Sequence, residues 1–246
     1  MTSSINYIVS NLIYKKYTFK NQPNIPFSMT DTPEIFEKLY SQGKTPWTNP
    51  EIPEEIKFLT RRTPGGITPI YIGKSLNIGC GQGYHDIYLA KRGFDHTAID
   101  ISEEAIKQAR QNAFEANVSI DFIQMDWRDL NQLPSDFDFA MDWRFLHELT
   151  DQEDRKQYVK LVSERLHPNS AYLSASFSDQ TKLWGKEKIR TPENSQTTLY
   201  FSSLDEYCDL MKPYFTPVQR NQIEVPSHGA GIAVCNQLTM VNSLHH

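Results

Sequence analysis

Between Ser75 and Thr239, short apolar runs alternate with stretches in which apolar residues recur every three to four positions. Ser75–Gly79, His96–Asp100, Ser119–Gln124, Phe137–Asp142 and Ala171–Phe177 are predicted strands, and Tyr84–Arg92, Glu103–Ala116 and Gln152–Arg165 are the predicted helices between them. Near-continuous apolar strands joined by helices imply βαβ units. The expected fold is therefore α/β, a doubly wound, mostly parallel sheet covered on both faces. Leu204–Met211 reads as a late helix, and Val218–Val225 with Gly231–Met240 as a C-terminal antiparallel hairpin, which brings the sheet to seven strands. Ser102 is the expected N-cap of the second helix, with Glu103 and Glu104 at the positive end of its dipole.

The flanks are less regular. Residues 1–28 are polar, carry Pro23 and Pro26 and sustain no period, so they are expected to form an N-terminal arm. A helix follows, capped by Asp31 or Thr32, with Ile35, Phe36, Leu39 and Tyr40 on one face and Gly43 as its stop. Pro46, Pro50 and Pro53 interrupt the next stretch, Ile56–Leu59 resumes a short helical pattern, and Thr63–Gly66 reads as a turn. Residues 178–202 are polar and without period, with Trp184, Gly185 and Arg190 among them and a basic bias from Lys182, Lys186 and Lys188. A stretch this long is expected to be a lid over a ligand, or else a plain surface loop. The division that follows is an arm (1–28) and one domain (29–246). Within the domain lie an N-terminal helical cover (29–70), a ligand-binding core (71–177), the lid (178–202) and the C-terminal helix and hairpin (203–246).

At 246 residues, 39% hydrophobic and 22% charged, the chain suits one soluble domain with a real core. Thirty acidic against 25 basic residues leave a net charge of -5, which gives no field to hold a nucleic acid or an anionic membrane surface. Cys80, Cys208 and Cys235 are odd in number and form no C-x-x-C pair, so neither a disulfide framework nor a metal site is expected. No apolar run approaches the roughly 18 residues of a membrane span, and the expected location is the cytoplasm. No oligomeric state is implied.

The run Ser75-Leu-Asn-Ile-Gly-Cys-Gly-Gln-Gly83 places glycines at 79, 81 and 83, between a strand and a helix. Glycine there allows a tight turn and lets a ligand approach main-chain amides that a Cβ would shield. Asp100 ends the next strand, 17 residues after Gly83, where a carboxylate can accept both hydroxyls of a ribose. A nucleoside site is implied. A dinucleotide fingerprint would put its third glycine where Tyr84 stands, which disfavours a nicotinamide cofactor.

The G-x-G-x-G spacing in Leu-Asn-Ile-Gly-Cys-Gly resembles the first motif of class I S-adenosylmethionine-dependent methyltransferases. Ala98-Ile-Asp-Ile-Ser102 is similar to their ribose-binding strand end, and Gln124-Met-Asp-Trp127 to the segment beside the adenine. The resemblance implies S-adenosyl-L-methionine as cofactor, S-adenosyl-L-homocysteine as product, and a pocket that includes Asn77, Gly79, Cys80, Gly81, Gly83, Asp100 and Ile101. It also implies that Asp126 bonds the adenine amine and that Trp127 lies near the ring. Asn77 stands where the family usually carries an acid. Cys80 needs only to be small and is expected to pack.

Phe36-x-x-x-Tyr40-x-x-Gly43-Lys-Thr-Pro-Trp47, Phe139-Ala-Met-Asp-Trp-Arg-Phe-Leu-His147 and Ser203–Phe215 resemble the thiopurine and thiol/halide methyltransferase group. That likeness implies that Phe36, Tyr40 and Trp47 cover the cofactor pocket. Trp143 follows Asp142 where the thiopurine branch has Arg, which argues against a thiopurine as substrate. Tyr40, Trp47 and Trp143 are candidates for a ring wall against the cofactor's sulfonium, a contact worth ~0.5 to 2 kcal/mol, or else ordinary packing. Asp142 is also a candidate cofactor contact, and Asp142 and His147, with Glu148, are candidate proton acceptors at the end of the fourth strand; packing is the alternative for His147.

The expected activity is in-line methyl transfer to a small-molecule acceptor, most simply a thiol or other soft nucleophile, because a thiol of pKa ~8.5 is partly ionised at neutral pH. An NAD-dependent oxidoreductase and a non-catalytic S-adenosylmethionine-binding regulator are the alternatives.

Overall fold

The computed structural model describes residues 33–61, 70, 72–192, 197–227 and 231–243. The expected arm, the Asp31 or Thr32 cap and the Thr63–Gly66 turn lie outside the described residues. The core is a seven-stranded sheet in the order β3-β2-β1-β4-β5-β9-β8. It comprises β1 (Lys74–Ile78), β2 (Asp95–Asp100), β3 (Asp121–Gln124), β4 (Phe137–Trp143), β5 (Leu166–Phe177), β8 (Phe215–Ser227) and β9 (Gly231–Asn242). The first five run parallel, and β9 is antiparallel to both its neighbours.

Two short helices, α1 (Pro33–Ser41) and α2 (Glu54–Leu59), precede the sheet. The crossover helices are α3 (Tyr84–Lys91), α4 (Glu103–Glu115) and α5 (Gln152–Ser163), and α6 (Leu204–Met211) precedes the hairpin. The start of each of α4, α5 and α6 follows from a side-chain cap. Ser102 accepts from the Ala105 amide, Asp151 from those of Glu153 and Asp154, and Ser203 from that of Glu206. Ala105, Ala109 and Ala113 form the buried stripe of α4, small enough to let the helix lie close to β2 and β3.

The expected N-terminal cover is held by one glutamate. Glu37 on α1 accepts from the Ser102 hydroxyl at 2.7 Å and the Glu104 amide at 3.1 Å, adding a carboxylate at the N-terminus of α4.

Residues 178–192 and 197–202 differ from the structureless lid expected of them. They contain a short hairpin of β6 (Ile189–Arg190) and β7 (Leu199–Tyr200), and Leu183 and Trp184 pack on Phe177, Phe201 and Val225. Arg190 is 3% exposed. It donates to the carbonyls of Thr181, Leu183 and Glu187, with its guanidinium 3.9 Å from the Phe201 ring centre. A basic residue that reads as solvated is thus the internal tie of the segment. Arg190→Met removes those three donors while keeping most of the volume, and is expected to cost about 2 to 3 kcal/mol in urea unfolding.

Candidate active site

In a doubly wound sheet the ligand crevice lies where successive strands leave in opposite directions. Here β1 is flanked by β2 and β4, so the crevice opens at the carboxyl ends of those three strands. A cavity of about 700 Å³ occupies that position. Its walls include the glycine turn, Asp100, the α1 aromatics, the end of β4 and Ile223–Pro226 of β8.

The glycine turn is tied down by main-chain bonds. The Gly79 and Cys80 amides both donate to the Ile99 carbonyl at 2.9 Å. Gly81 has φ +54°, and a Cβ there would stand 2.7 Å from the Tyr40 hydroxyl. Gly83 has φ +78°, and a Cβ there would stand 2.8 Å from Phe122 and 3.0 Å from Ala109. Gly81 therefore lets the Tyr40 hydroxyl close down on the turn, whereas Gly83 lies off the cavity wall and lets α4 and β3 approach. Gly83→Ala is expected to destabilise the fold by about 1 to 3 kcal/mol through backbone conformation alone, more if Phe122 cannot move, as thermal melting would show.

Asp100 closes the turn from the opposite side. Its Oδ2 accepts from the Gly81 amide at 2.8 Å and its Oδ1 from the Ser102 amide at 3.0 Å. Burial raises its pKa to about 6 against the pull of those two donors. A carboxyl raised in this way stabilises the fold fully below its unfolded value near 4, and that contribution is lost as pH rises through 6. Its value as an acceptor has the opposite dependence, because the ionised form binds hydroxyls best. Affinity for a ribose ligand is expected to fall about tenfold from pH 7 to pH 5, and to stay flat in Asp100→Asn.

The aromatic cover forms the facing wall. Trp47 donates from Nε1 to the Tyr40 hydroxyl at 3.0 Å, and the Phe36 and Tyr40 rings each meet Trp47 edge-on at 5.9 Å. Burial holds the Tyr40 phenol protonated, well above its ordinary pKa. At the other end of the cavity His85 meets Trp143 edge-on at 6.2 Å, and burial lowers its imidazole pKa to about 4, leaving it neutral.

The structure brings Phe36, Tyr40, Trp47, Gly79, Cys80, Gly81, Asp100, Ile101, Trp127 and Trp143 together around this cavity. It places Asn77, Gly83, Asp126, Asp142 and His147 off the wall. Asp126 caps the turn Trp127–Gln132 by accepting from the Arg128 amide, and is ion-paired with the Arg128 side chain. Asn77 donates to Asp86 at 2.8 Å, and the same oxygen lies 2.7 Å from His96 Nε2, whose Nδ1 is 2.5 Å from the Ser75 hydroxyl. Asn77 is thus engaged by a buried acid on α3 rather than by the cavity.

The two residues expected to move protons are corrected by their surroundings. Asp142 is buried, and its Oδ2 accepts from the hydroxyls of Tyr158, Tyr172 and Ser174. Burial still raises its pKa to about 6. His147 is 2% exposed and stacks on Phe177 at 4.2 Å. Burial, with Arg144 and Arg155 adding to it, keeps its pKa well below the usual value. Both are packed behind the cavity rather than aimed into it. His85, Arg144 and Phe145 line the cavity without having been singled out.

The donor set fits S-adenosylmethionine. A carboxylate at the end of β2, an acceptor of the kind ribose hydroxyls need, lines the cavity together with the Gly79–Gly81 turn and the rings of Tyr40, Trp47 and Trp143.

The comparisons agree with the fold and the glycine motif. A family profile described as a methyltransferase domain matches residues 76–169. An uncharacterised methyltransferase of Schizosaccharomyces pombe is 30% identical over 107 residues, 44% of this chain and 73% of the yeast protein. A ubiquinone biosynthesis O-methyltransferase of Idiomarina loihiensis is 28% identical over 133 residues, 54% of this chain and 52% of the relative, so the chain matches about half that protein's length. Among solved structures, the 1,6-didemethyltoxoflavin N1-methyltransferase of Burkholderia thailandensis superposes with a TM-score of 0.66 at 19% identity, covering 90% of this chain and 94% of that one. With the glycine turn, the acid at the end of β2 and the sheet order in place, this chain belongs to the class I S-adenosylmethionine-dependent methyltransferase family.

Proposed function

We propose that this protein methylates a small-molecule acceptor, and that the preferred nucleophile is soft, a thiol first among the candidates. When bound, S-adenosylmethionine supplies an electrophilic methyl group on a sulfonium sulfur. Asp100 accepts the ribose hydroxyls, Gly81 lets Tyr40 close down on the turn, and the Tyr40–Trp47 pair covers the site and excludes water. Ring faces near the sulfonium favour its charge by ~0.5 to 2 kcal/mol. Alignment of donor and acceptor is the main catalytic device, able to supply roughly 7 to 11 kcal/mol at its limit.

The observation that carries the preference for a soft nucleophile is where the acid–base groups lie. Asp142 and His147 are packed behind the wall, and His85 faces the cavity as a weak base. An acceptor that ionises unaided, such as a thiol, needs no more than this. The resemblance of Phe36–Trp47 to the thiol/halide group supports the same choice.

A hydroxyl acceptor is the second reading. Glu148 lines the cavity and can serve as base, and one relative is named as an O-methyltransferase. Transfer of labelled methyl to thiophenol and to phenol at pH 7.5 separates the two. At least tenfold faster labelling of thiophenol, insensitive to Glu148→Gln, is expected; faster labelling of phenol that Glu148→Gln abolishes would reverse the preference.

A further inference from the structure

We propose that Arg144 anchors a carboxylate of the methyl acceptor. The inference rests on the methyltransferase reading and concerns the half of the cavity farthest from the ribose acceptor. Arg144 follows β4 and lines the cavity together with its neighbours Trp143 and Phe145. Because β1 lies between β2 and β4, Asp100 and Arg144 stand on opposite flanks of the glycine turn.

Two features single this arginine out. The first is its backbone, at φ +68° in the left-handed region although it is not glycine. Such a residue costs of the order of 1 to 3 kcal/mol and persists only where the surroundings enforce it. Here its amide still donates to the Ala175 carbonyl at 2.8 Å, so pairing with β5 continues one residue past the strand while the residue lines the cavity.

The second is the state of its guanidinium. The group is half-buried over the Phe177 ring, 5.0 Å from the ring centre. Among the described residues no hydrogen bond or ion pair reaches it, and Nε is buried without a partner. Arg155 and Arg190, which are also recessed, place their donors on carbonyls. A buried N–H without an acceptor is unfavourable, and the less buried Nη donors beside it are free to meet a ligand. The planar fork matches a carboxylate through two parallel bonds, which gives geometric as well as electrostatic selection.

Among the described residues no acid of the cavity wall forms an ion pair with Arg144. Glu51, Glu54 and Glu224 are exposed, Glu54 is paired with Lys57 at 2.7 Å, and Asp154 with Arg128 at 3.1 Å. Exposed charges at the mouth are screened, whereas the recessed cation is not. They favour entry of a cationic donor, and Arg144 selects among acceptors. Glu148 is the carboxylate whose field bears on Arg144.

The test uses calorimetric titration of the protein saturated with S-adenosylhomocysteine, with 2-naphthoate and its neutral isostere 2-naphthamide as probes. Naphthoate is expected to bind at least tenfold more tightly than the amide. Arg144→Gln should abolish that preference, and Arg144→Lys, which keeps the charge but loses the fork, should reduce it at least threefold. Affinity for S-adenosylhomocysteine should change less than threefold in both variants, which also shows that they fold. Equal binding of the two probes, or a preference that survives Arg144→Gln, overturns the proposal. So does a tenfold loss of S-adenosylhomocysteine affinity with 5′-methylthioadenosine affinity unchanged, because the cation would then hold the donor's own carboxylate. Failure of the wild-type protein to bind S-adenosylhomocysteine is a different result, and removes the methyltransferase reading itself.

Discussion

Asp100→Ala is expected to weaken S-adenosylhomocysteine binding at least tenfold, or about 1.4 kcal/mol and upward. Two losses combine in this variant. The ribose hydroxyls lose a charged acceptor, for which hydrogen bonds are typically worth about 1.5 to 3 kcal/mol. The glycine turn also loses its tether, because Asp100 accepts the Gly81 amide at 2.8 Å and the Ser102 amide at 3.0 Å in the folded protein. Asp100→Asn separates the two, since an amide oxygen can keep one of those contacts without the charge. Calorimetry should rank the three proteins wild type, Asn, Ala in falling affinity. Equal affinity in all three would remove Asp100 from the site and with it the assignment of the ribose end of the cavity.

Asp142→Ala is expected to act on stability, by about 3 kcal/mol. The hydroxyls of Tyr158, Tyr172 and Ser174 converge on one carboxylate oxygen in a fully buried cluster. Without it three buried donors lose their acceptor at once, and the Ser174–Tyr207 contact beside them loses its support. For a chain of this size the loss corresponds to a melting point lower by roughly 6 to 12 °C. Tyr172→Phe removes one of the three bonds and should cost about 1 kcal/mol. The contrary outcome is specific: an Asp142→Ala protein that melts normally yet no longer transfers methyl would return Asp142 to a catalytic role.

The alternation of strands and helices was legible because the strands of a parallel sheet buried on both faces carry apolar residues at their centres, and β4 is largely such a run, while β1 and β2 are buried with fewer apolar residues. The glycine turn was legible because its conformation admits few other residues. Helix starts at Ser102, Asp151 and Ser203 follow ordinary capping chemistry. What escaped was set by side-chain contacts that no periodicity or capping rule announces. Glu37 sits on the amphipathic helix α1 as one more polar residue, and nothing local says that it caps α4. Arg190 reads as part of a basic loop until its carbonyl partners are seen. The same segment leaves the cavity wall to Ile223–Pro226, which belong to a strand long enough to pass the sheet's edge.

The candidate site divides along the same line. Gly79, Cys80 and Gly81 of the glycine motif and Phe36, Tyr40 and Trp47 of the aromatic cover lie around the cavity, whereas Asn77 and Gly83 of the same motif lie off its wall. Asp142 and His147 were drawn from their position at the end of β4, and one more feature decides which way that end faces. Strand alternation puts Trp143 and Asp142 on opposite faces of β4, and past the strand the left-handed Arg144 precedes Phe145, which lines the cavity, and His147, which is buried off its wall. No propensity scale marks an arginine for that conformation.

The central claim is that the cavity between β2, β1 and β4 binds S-adenosylmethionine. Calorimetric titration of the wild-type protein with S-adenosylmethionine and S-adenosylhomocysteine, with NADH titrated in parallel, tests it most directly. One-to-one binding of both sulfur nucleosides in the micromolar range, with no heat from NADH, is the predicted result. Heat from NADH with none from either sulfur nucleoside would contradict it.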